Sequence, residues 1–255
     1  MIISALYKTI LDALFPISAA EDEMLSLSPQ DALQKLPVAP GYEGLVVDLP
    51  NATSLFAYKD ERVAKLVWSI KYKKSAHAVR IGGYVLWHTL VTTTGDGNRF
   101  SGRFGPSEGE GEPAASPPGD DGVSSKTSLP EPVVVMPMPI TERRRRERGY
   151  NQCELIVDEM ERLEQINKSS RFVVRKDILF RVHHAARQTL KDRDERIEGA
   201  KGIFAVNEYV ISPELLHSHI IVIDDVITTG STMFEALETM KKAGFEDVQA
   251  LSIAH

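Results

Sequence analysis

The sequence predicts an α/β protein: a mainly parallel sheet flanked by helices, with a helical and irregular appendage at its N-terminal side. Two observations carry that expectation. Unbroken apolar runs at residues 133–135 and 220–223 have the character of strands buried on both faces, as parallel sheets require. Apolar residues at helical spacing follow each run, at 151–166 and 232–243, and strand alternating with helix is the pattern of a parallel sheet.

Taken in order, Ile2, Ala5, Leu6, Ile10, Ala13 and Leu14 recur at helical spacing with Pro16 just beyond, predicting a short amphipathic packing helix. Residues 18–50, with Pro29, Pro37, Pro40 and Pro50, read as loops and at most short elements. A second helix is expected from Asp60. Its apolar face is Val63, Leu66, Val67 and Ile70, and Arg62, Lys65, Lys71, Lys73 and Lys74 supply positive charge. It continues through a turn into residues 79–90. From 92 to 132 the composition changes to Gly, Ser, Pro, Glu and Asp, predicting a disordered surface insertion. The chain thereby divides into a hood region (1–91), the insertion (92–132) and an α/β domain (133–255).

Within that domain the strand at 133–135 is followed by a helix over 151–166, with Leu155, Ile156, Met160 and Leu163 on one face. Residues 172–180 alternate as a strand, 183–202 read as a polar loop, and 220–223 as a buried strand. A helix over 232–243 stops at Gly244, and 248–253 closes the sheet.

Composition bounds the function. The chain has 255 residues, 42% hydrophobic and 26% charged, with a net charge of −6; this fits a soluble globular protein and argues against a surface wholly committed to nucleic acid. Cys153 is the single cysteine, which excludes an internal disulfide and a site of several thiolates and fits a reducing cytoplasmic setting. Lys8 and Asp12 interrupt any apolar leader, and no run reaches the roughly 20 apolar residues a bilayer needs. No membrane association is therefore expected.

The most informative string is Ile221-Val222-Ile223-Asp224-Asp225-Val226-Ile227-Thr228-Thr229-Gly230-Ser231-Thr232. A buried strand delivers two carboxylates at its C-terminal end, where open α/β sheets bind ligands. A hydroxyl-rich turn with Gly230 then leads into a helix N-terminus, where free amides and the helix dipole favour phosphate. Carboxylates beside a phosphate cradle suit a ligand that also offers sugar hydroxyls or a metal ion. No Gly-Lys-Ser/Thr loop occurs, so ATP hydrolysis is not expected. A second constellation, Pro137-Met138-Pro139 followed by Arg143 to Arg146, Arg148, Gly149, Tyr150, Asn151 and Gln152, places guanidinium groups at the same sheet edge, as a pyrophosphate would require. His183 and His184 receive no role, and Cys153 is read as packing.

The first string resembles the phosphoribosyl-pyrophosphate-binding motif of type I phosphoribosyltransferases. The second resembles the ComF-like family, related to amidophosphoribosyltransferases, as do Arg181, Gln188, Leu190, Arg196, Gly202 and Phe204 and, more loosely, residues 11–16 and 58–72. The chain lacks the family's usual N-terminal zinc module, and Gly199 stands where the family has asparagine. The resemblance implies a type I phosphoribosyltransferase-like fold. In it Asp224 and Asp225 would be the catalytic pair meeting the ribose 2- and 3-hydroxyls, with Asp225 a candidate general base by proximity. Thr228, Thr229, Gly230, Ser231 and Thr232 would bind the 5-phosphate. Pro137, Met138, Pro139, Arg148, Arg187, Lys191 and Arg196 would meet the pyrophosphate, with Arg193 also in that loop. Mg²⁺ would be held through pyrophosphate and ribose, touching at most Asp224 and Asp225. The implied activity is transfer of a phosphoribosyl group from phosphoribosyl pyrophosphate to an acceptor the sequence does not name, with release of pyrophosphate. The alternatives are a non-catalytic ComF-like protein associated with DNA uptake, or a sensor of phosphoribosyl pyrophosphate. Single-stranded DNA as a partner has thin support, since few stacking aromatics punctuate the basic helix. A homodimer is compatible with the sequence.

Overall fold

The computed structural model describes residues 18–40, 49–93, 132–182 and 202–255. The expected first helix, the expected insertion and the loop carrying Arg187, Lys191, Arg193 and Arg196 fall outside or almost wholly outside these residues.

The elements in chain order are α1 (Ala19–Ser26), α2 (Pro29–Lys35), β1 (Ala52–Phe56), α3 (Glu61–Lys73), α4 (Ala76–Thr93), β2 (Val133–Pro137), α5 (Glu142–Arg148), α6 (Gln152–Asn167) and β3 (Phe172–Val174). There follow β4 (Leu179–Arg181), β5 (Phe204–Val206), α7 (Pro213–His217), β6 (His219–Val226), α8 (Ser231–Lys242) and β7 (Asp247–Ala254). Five strands form one parallel sheet in the order β1-β7-β6-β2-β3, and β4 and β5 make a separate antiparallel pair. The α/β fold with a parallel sheet between helices is the predicted one.

Period-two alternation of β6 explains the two layers. Ile221 and Ile223 pack on one face with α3, α4 and α6, while Ile220 and Val222 pack on the other with α8, α7 and the β4–β5 pair. Helix α4 approaches α6 closely at Gly83, where a Cβ would lie 2.5 Å from Glu159 Cγ; any side chain there would push the two helices apart.

One local reading is corrected, the strand over 172–180, and three stretches gain detail. Residues 18–50 contain α1 and α2, each started by a serine: Ser18 accepts from the Glu21 amide at 3.2 Å, and Ser28 forms a capping box with Asp31. Residues 52–56 form an unforeseen edge strand, pairing Ala52 with Ala250 and Phe56 with Ala254, so this stretch shares the sheet formed by residues 133–255. The expected strand over 172–180 is two strands in different sheets. Arg175, whose amide donates to Val135 O at 2.9 Å, leaves the sheet through a turn closed by its pair with Asp177. The basic run after Pro139 is a helix, α5, capped by Thr141 and stopped at Gly149.

Candidate functional site

The C-terminal ends of β2 and β6 open onto a cavity of about 280 Å³. It is lined from α3 by Lys71 and Tyr72, from the β2 side by Met138, Pro139, Ile140, Arg144, Arg148 and Gln152, from β4 by Arg181, and from β6 to α8 by residues 224–230, Thr232 and Met233. The two motifs singled out in the sequence therefore meet, as topology demands when neighbouring parallel strands end at one edge.

On the β6 side the strand stays paired with β7 to its last residue, Val226 against Ala254. The turn is fastened beyond it: the Ile227 amide donates to Ala254 O at 3.0 Å, and the Ile227 carbonyl lies 2.9 Å from His255 Nδ1. Gly230 then adopts φ +79°, a left-handed conformation that suits glycine. Gly230 begins α8 with no side-chain cap of its own; the Ser231 amide donates to Thr229 Oγ1 at a long 3.5 Å, and the first-turn amides beyond it are open to an anion. Thr228, Thr229 and Ser231 are exposed around this start, and the Thr229 and Ser231 hydroxyls lie 3.3 Å apart.

The acid pair sits in two environments. Asp225 is buried, 2% exposed, and paired with Lys71 Nζ at 3.0 Å. Its Oδ2 is buried with no hydrogen-bond partner among the described residues. Asp224 is half-buried on the opposite face of the strand, where Oδ1 accepts from its neighbour's amide at 2.8 Å and from Cys153 Sγ at 3.3 Å. Burial, and next the charge of Asp225, push the Asp224 carboxyl up to about 7. Burial, and then the two aspartates, hold the Cys153 thiol well above its ordinary value, so it is a neutral donor.

On the β2 side, Pro137 and Pro139 lack amide protons, and both backbone groups of Met138 are engaged. Its N–H donates to Ile223 O at 2.8 Å, and its carbonyl accepts from Asn151 Nδ2 at 3.0 Å. This turn gives the cavity its shape, and the cationic groups come from elsewhere. Arg148 donates to Gln152 Oε1 at 2.9 Å and lies over the Tyr72 ring at 5.0 Å. Arg181 stacks on Phe204 at 5.2 Å; burial first, then nearby Arg144, lowers its pKa from the ordinary value.

Asp224, Asp225, Thr228, Thr229, Gly230, Thr232, Met138, Pro139 and Arg148 of the expected site line the cavity; Ser231 adjoins it and Pro137 ends the buried β2. Arg187, Lys191 and Arg196 lie outside the described residues. Arg144 belongs to the arginine run expected at this sheet edge, whereas sequence reasoning did not single out Lys71, Tyr72 or Arg181 as site residues. A signal existed for Lys71: it stands four residues after buried Val67 and next to buried Ile70, so helical geometry puts a cation on the flank of the packed face. Trp68 and Tyr72 are exposed, 5.9 Å apart, with Lys65 and Lys73 against the Trp68 ring.

No family model matches the chain. It is similar to Competence protein F of Haemophilus influenzae, 30% identical over 123 residues that cover 48% of this chain and 50% of that protein. The match thus spans about half the length of its curated relative. Among the described residues, no helix is long and apolar enough to cross a membrane.

Proposed function

We propose that the chain is a ComF-like, phosphoribosyltransferase-type protein. In this reading it binds phosphoribosyl pyrophosphate with Mg²⁺ and transfers the phosphoribosyl group to an acceptor nucleophile, releasing pyrophosphate. The observation that carries the reading is one cavity containing an uncapped helix start in a hydroxyl-rich turn, a carboxylate pair and three arginines. Each part matches one portion of the ligand. The turn at 228–232 suits the 5-phosphate, the carboxylates would accept hydrogen bonds from the ribose hydroxyls, and Arg144, Arg148 and Arg181 on the cavity wall would meet the multiply charged pyrophosphate. Arg187, Lys191 and Arg196 are proposed to complete that charge balance.

The reaction forms a bond from the acceptor to the anomeric carbon and breaks its bond to the pyrophosphate oxygen, which leaves with the electron pair. Catalysis of this type comes from positioning and from charge placed where charge develops. The unpartnered Asp225 Oδ2 is the acceptor a sugar hydroxyl would satisfy. In this reading Mg²⁺ is carried by the ligand's own oxygens, with Asp224 and Asp225 beside it. When bound, magnesium would neutralise the pyrophosphate and make it a better leaving group.

Calorimetric titration with phosphoribosyl pyrophosphate, with and without magnesium, tests the reading. Wild type should bind in a magnesium-dependent manner and Asp224→Asn/Asp225→Asn should not. Absence of binding by wild type overturns it. Pyrophosphate release with bases and amines as acceptors then tests turnover.

A second reading, binding without turnover in a protein associated with DNA uptake, is favoured by the relative's name and by the exposed Trp68–Tyr72 pair among lysines. Single-strand binding that weakens steeply with salt, and no pyrophosphate release, would favour it over the first.

A further inference from the structure

The phosphate turn and the acid pair lie on one strand–turn–helix unit, but the cation nearest the acid pair comes from another part of the chain. Lys71, in the last turn of α3, reaches Asp225 Oδ1 at 3.0 Å. We infer that Lys71 is a positioning residue for the acid pair, holding one oxygen of the Asp225 side chain so that the second oxygen remains for a sugar hydroxyl. The inference deepens the phosphoribosyl pyrophosphate reading of this site and rests on it for the identity of the sugar.

Two neighbouring carboxylates at one strand end gain from a cation beside them, and Lys71 is the ion-pair partner of buried Asp225 among the described residues. The other groups around the pair are Cys153 from α6, a neutral donor to Asp224; Arg144 and Arg148 from α5 and Arg181 from β4, on the cavity wall; and uncharged Ser252 from β7, in register with Asp224.

Lys71 is placed by packing rather than by a chance reach of a flexible side chain. Ile70 beside it is fully buried, the Ile70 carbonyl accepts from Tyr150 Oη at 2.9 Å, and Lys74 ends the helix in a left-handed turn. With Oδ1 held by the ammonium, the carboxylate plane is fixed. Oδ2 then has no hydrogen-bond partner among the described residues and is the acceptor left for one hydroxyl of a diol.

The test measures magnesium-dependent phosphoribosyl pyrophosphate binding at pH 7 for wild type, Lys71→Met, Lys71→Arg, Asp225→Asn and Lys71→Met/Asp225→Asn. Lys71→Met should weaken binding about tenfold. Lys71→Arg should restore most of the loss, and Lys71→Met should add nothing in the Asp225→Asn background. Wild-type affinity in Lys71→Met, or an equal loss in the Asp225→Asn background, overturns the inference. Denaturant unfolding of the same ligand-free variants separates the two claims. Non-additive losses for Lys71→Met and Asp225→Asn support the inference even if wild type binds no phosphoribosyl pyrophosphate, in which case only the ligand reading falls. Additive losses overturn the inference.

Discussion

Two helices begin beside the cavity, and they begin differently. At α6, Asn151 caps the start: its Oδ1 accepts from the Cys153 amide at 3.0 Å while its Nδ2 holds Met138 O. At α8 the residue before the helix is Gly230, with φ +79° and no side chain to cap anything. The first start is closed by the protein itself, and the second is left for a partner. Ser18, Ser28, Asp60, Thr141 and Ser212 also cap their helices with side chains, so the open start coincides with the hydroxyl turn and the acid pair. A helix end open in a cavity that also supplies carboxylates and arginines is what makes this place a candidate for a phosphorylated sugar.

The contrast can be broken first at Gly230. Gly230→Val cannot hold a positive φ without strain, so the turn must rearrange. Affinity for phosphoribosyl pyrophosphate should fall about 100-fold, on the order of 3 kcal/mol, with the loss of two charge-assisted hydrogen bonds. Titration calorimetry reads this directly.

Asp224→Asn should give the next largest effect, in the opposite direction for stability. The folded-state pKa of Asp224 is raised to about 7 from 3.8, so between those values the folded state binds more protons than the unfolded one. Its contribution favours the fold at low pH and turns into a cost as pH rises through about 7. Asp224→Asn should therefore raise the unfolding free energy at pH 8 by on the order of a few kcal/mol relative to pH 4, while weakening binding by less than Gly230→Val does. Denaturant unfolding at the two pH values checks it.

Removing the closed cap, Asn151→Ala, should cost about 1–2 kcal/mol of stability, because the α6 start loses its acceptor. Thermal unfolding is the measurement, and the comparison sharpens if this change costs more stability than Gly230→Ala. The smallest effect is expected for Arg148→Ala, which loses its stacking on Tyr72 and its bond to Gln152; pyrophosphate should bind roughly fivefold more weakly, about 1 kcal/mol.

The unit from β6 to α8 was legible because its parts are local: strand, acids, turn and helix lie within one stretch, and each has its own composition. Helix α5 was not, although Thr141 and Gly149 were available as cap and stop, because four consecutive arginines dominate any reading of the run. Strand β1 was hidden for a different reason. It has five residues, includes Thr53 and Ser54, and is stabilised by β7, a partner far away in the chain. The Lys71–Asp225 pair is non-local in the same way. The sequence offers a lysine on a helix flank and an aspartate at a strand end, and only the packing of α3 against the sheet makes them one feature.

The two hydrogen bonds that hold Met138 also set a timescale. With its amide bonded to Ile223 and its side chain 3% exposed, that proton can reach deuterated solvent only when β2 parts from β6, an event that costs most of the global unfolding free energy. Thr229, an exposed residue of the turn, needs no such opening. The two walls of one small cavity should therefore exchange at rates separated by many orders of magnitude, one side keeping its memory of light water long after the other has lost it.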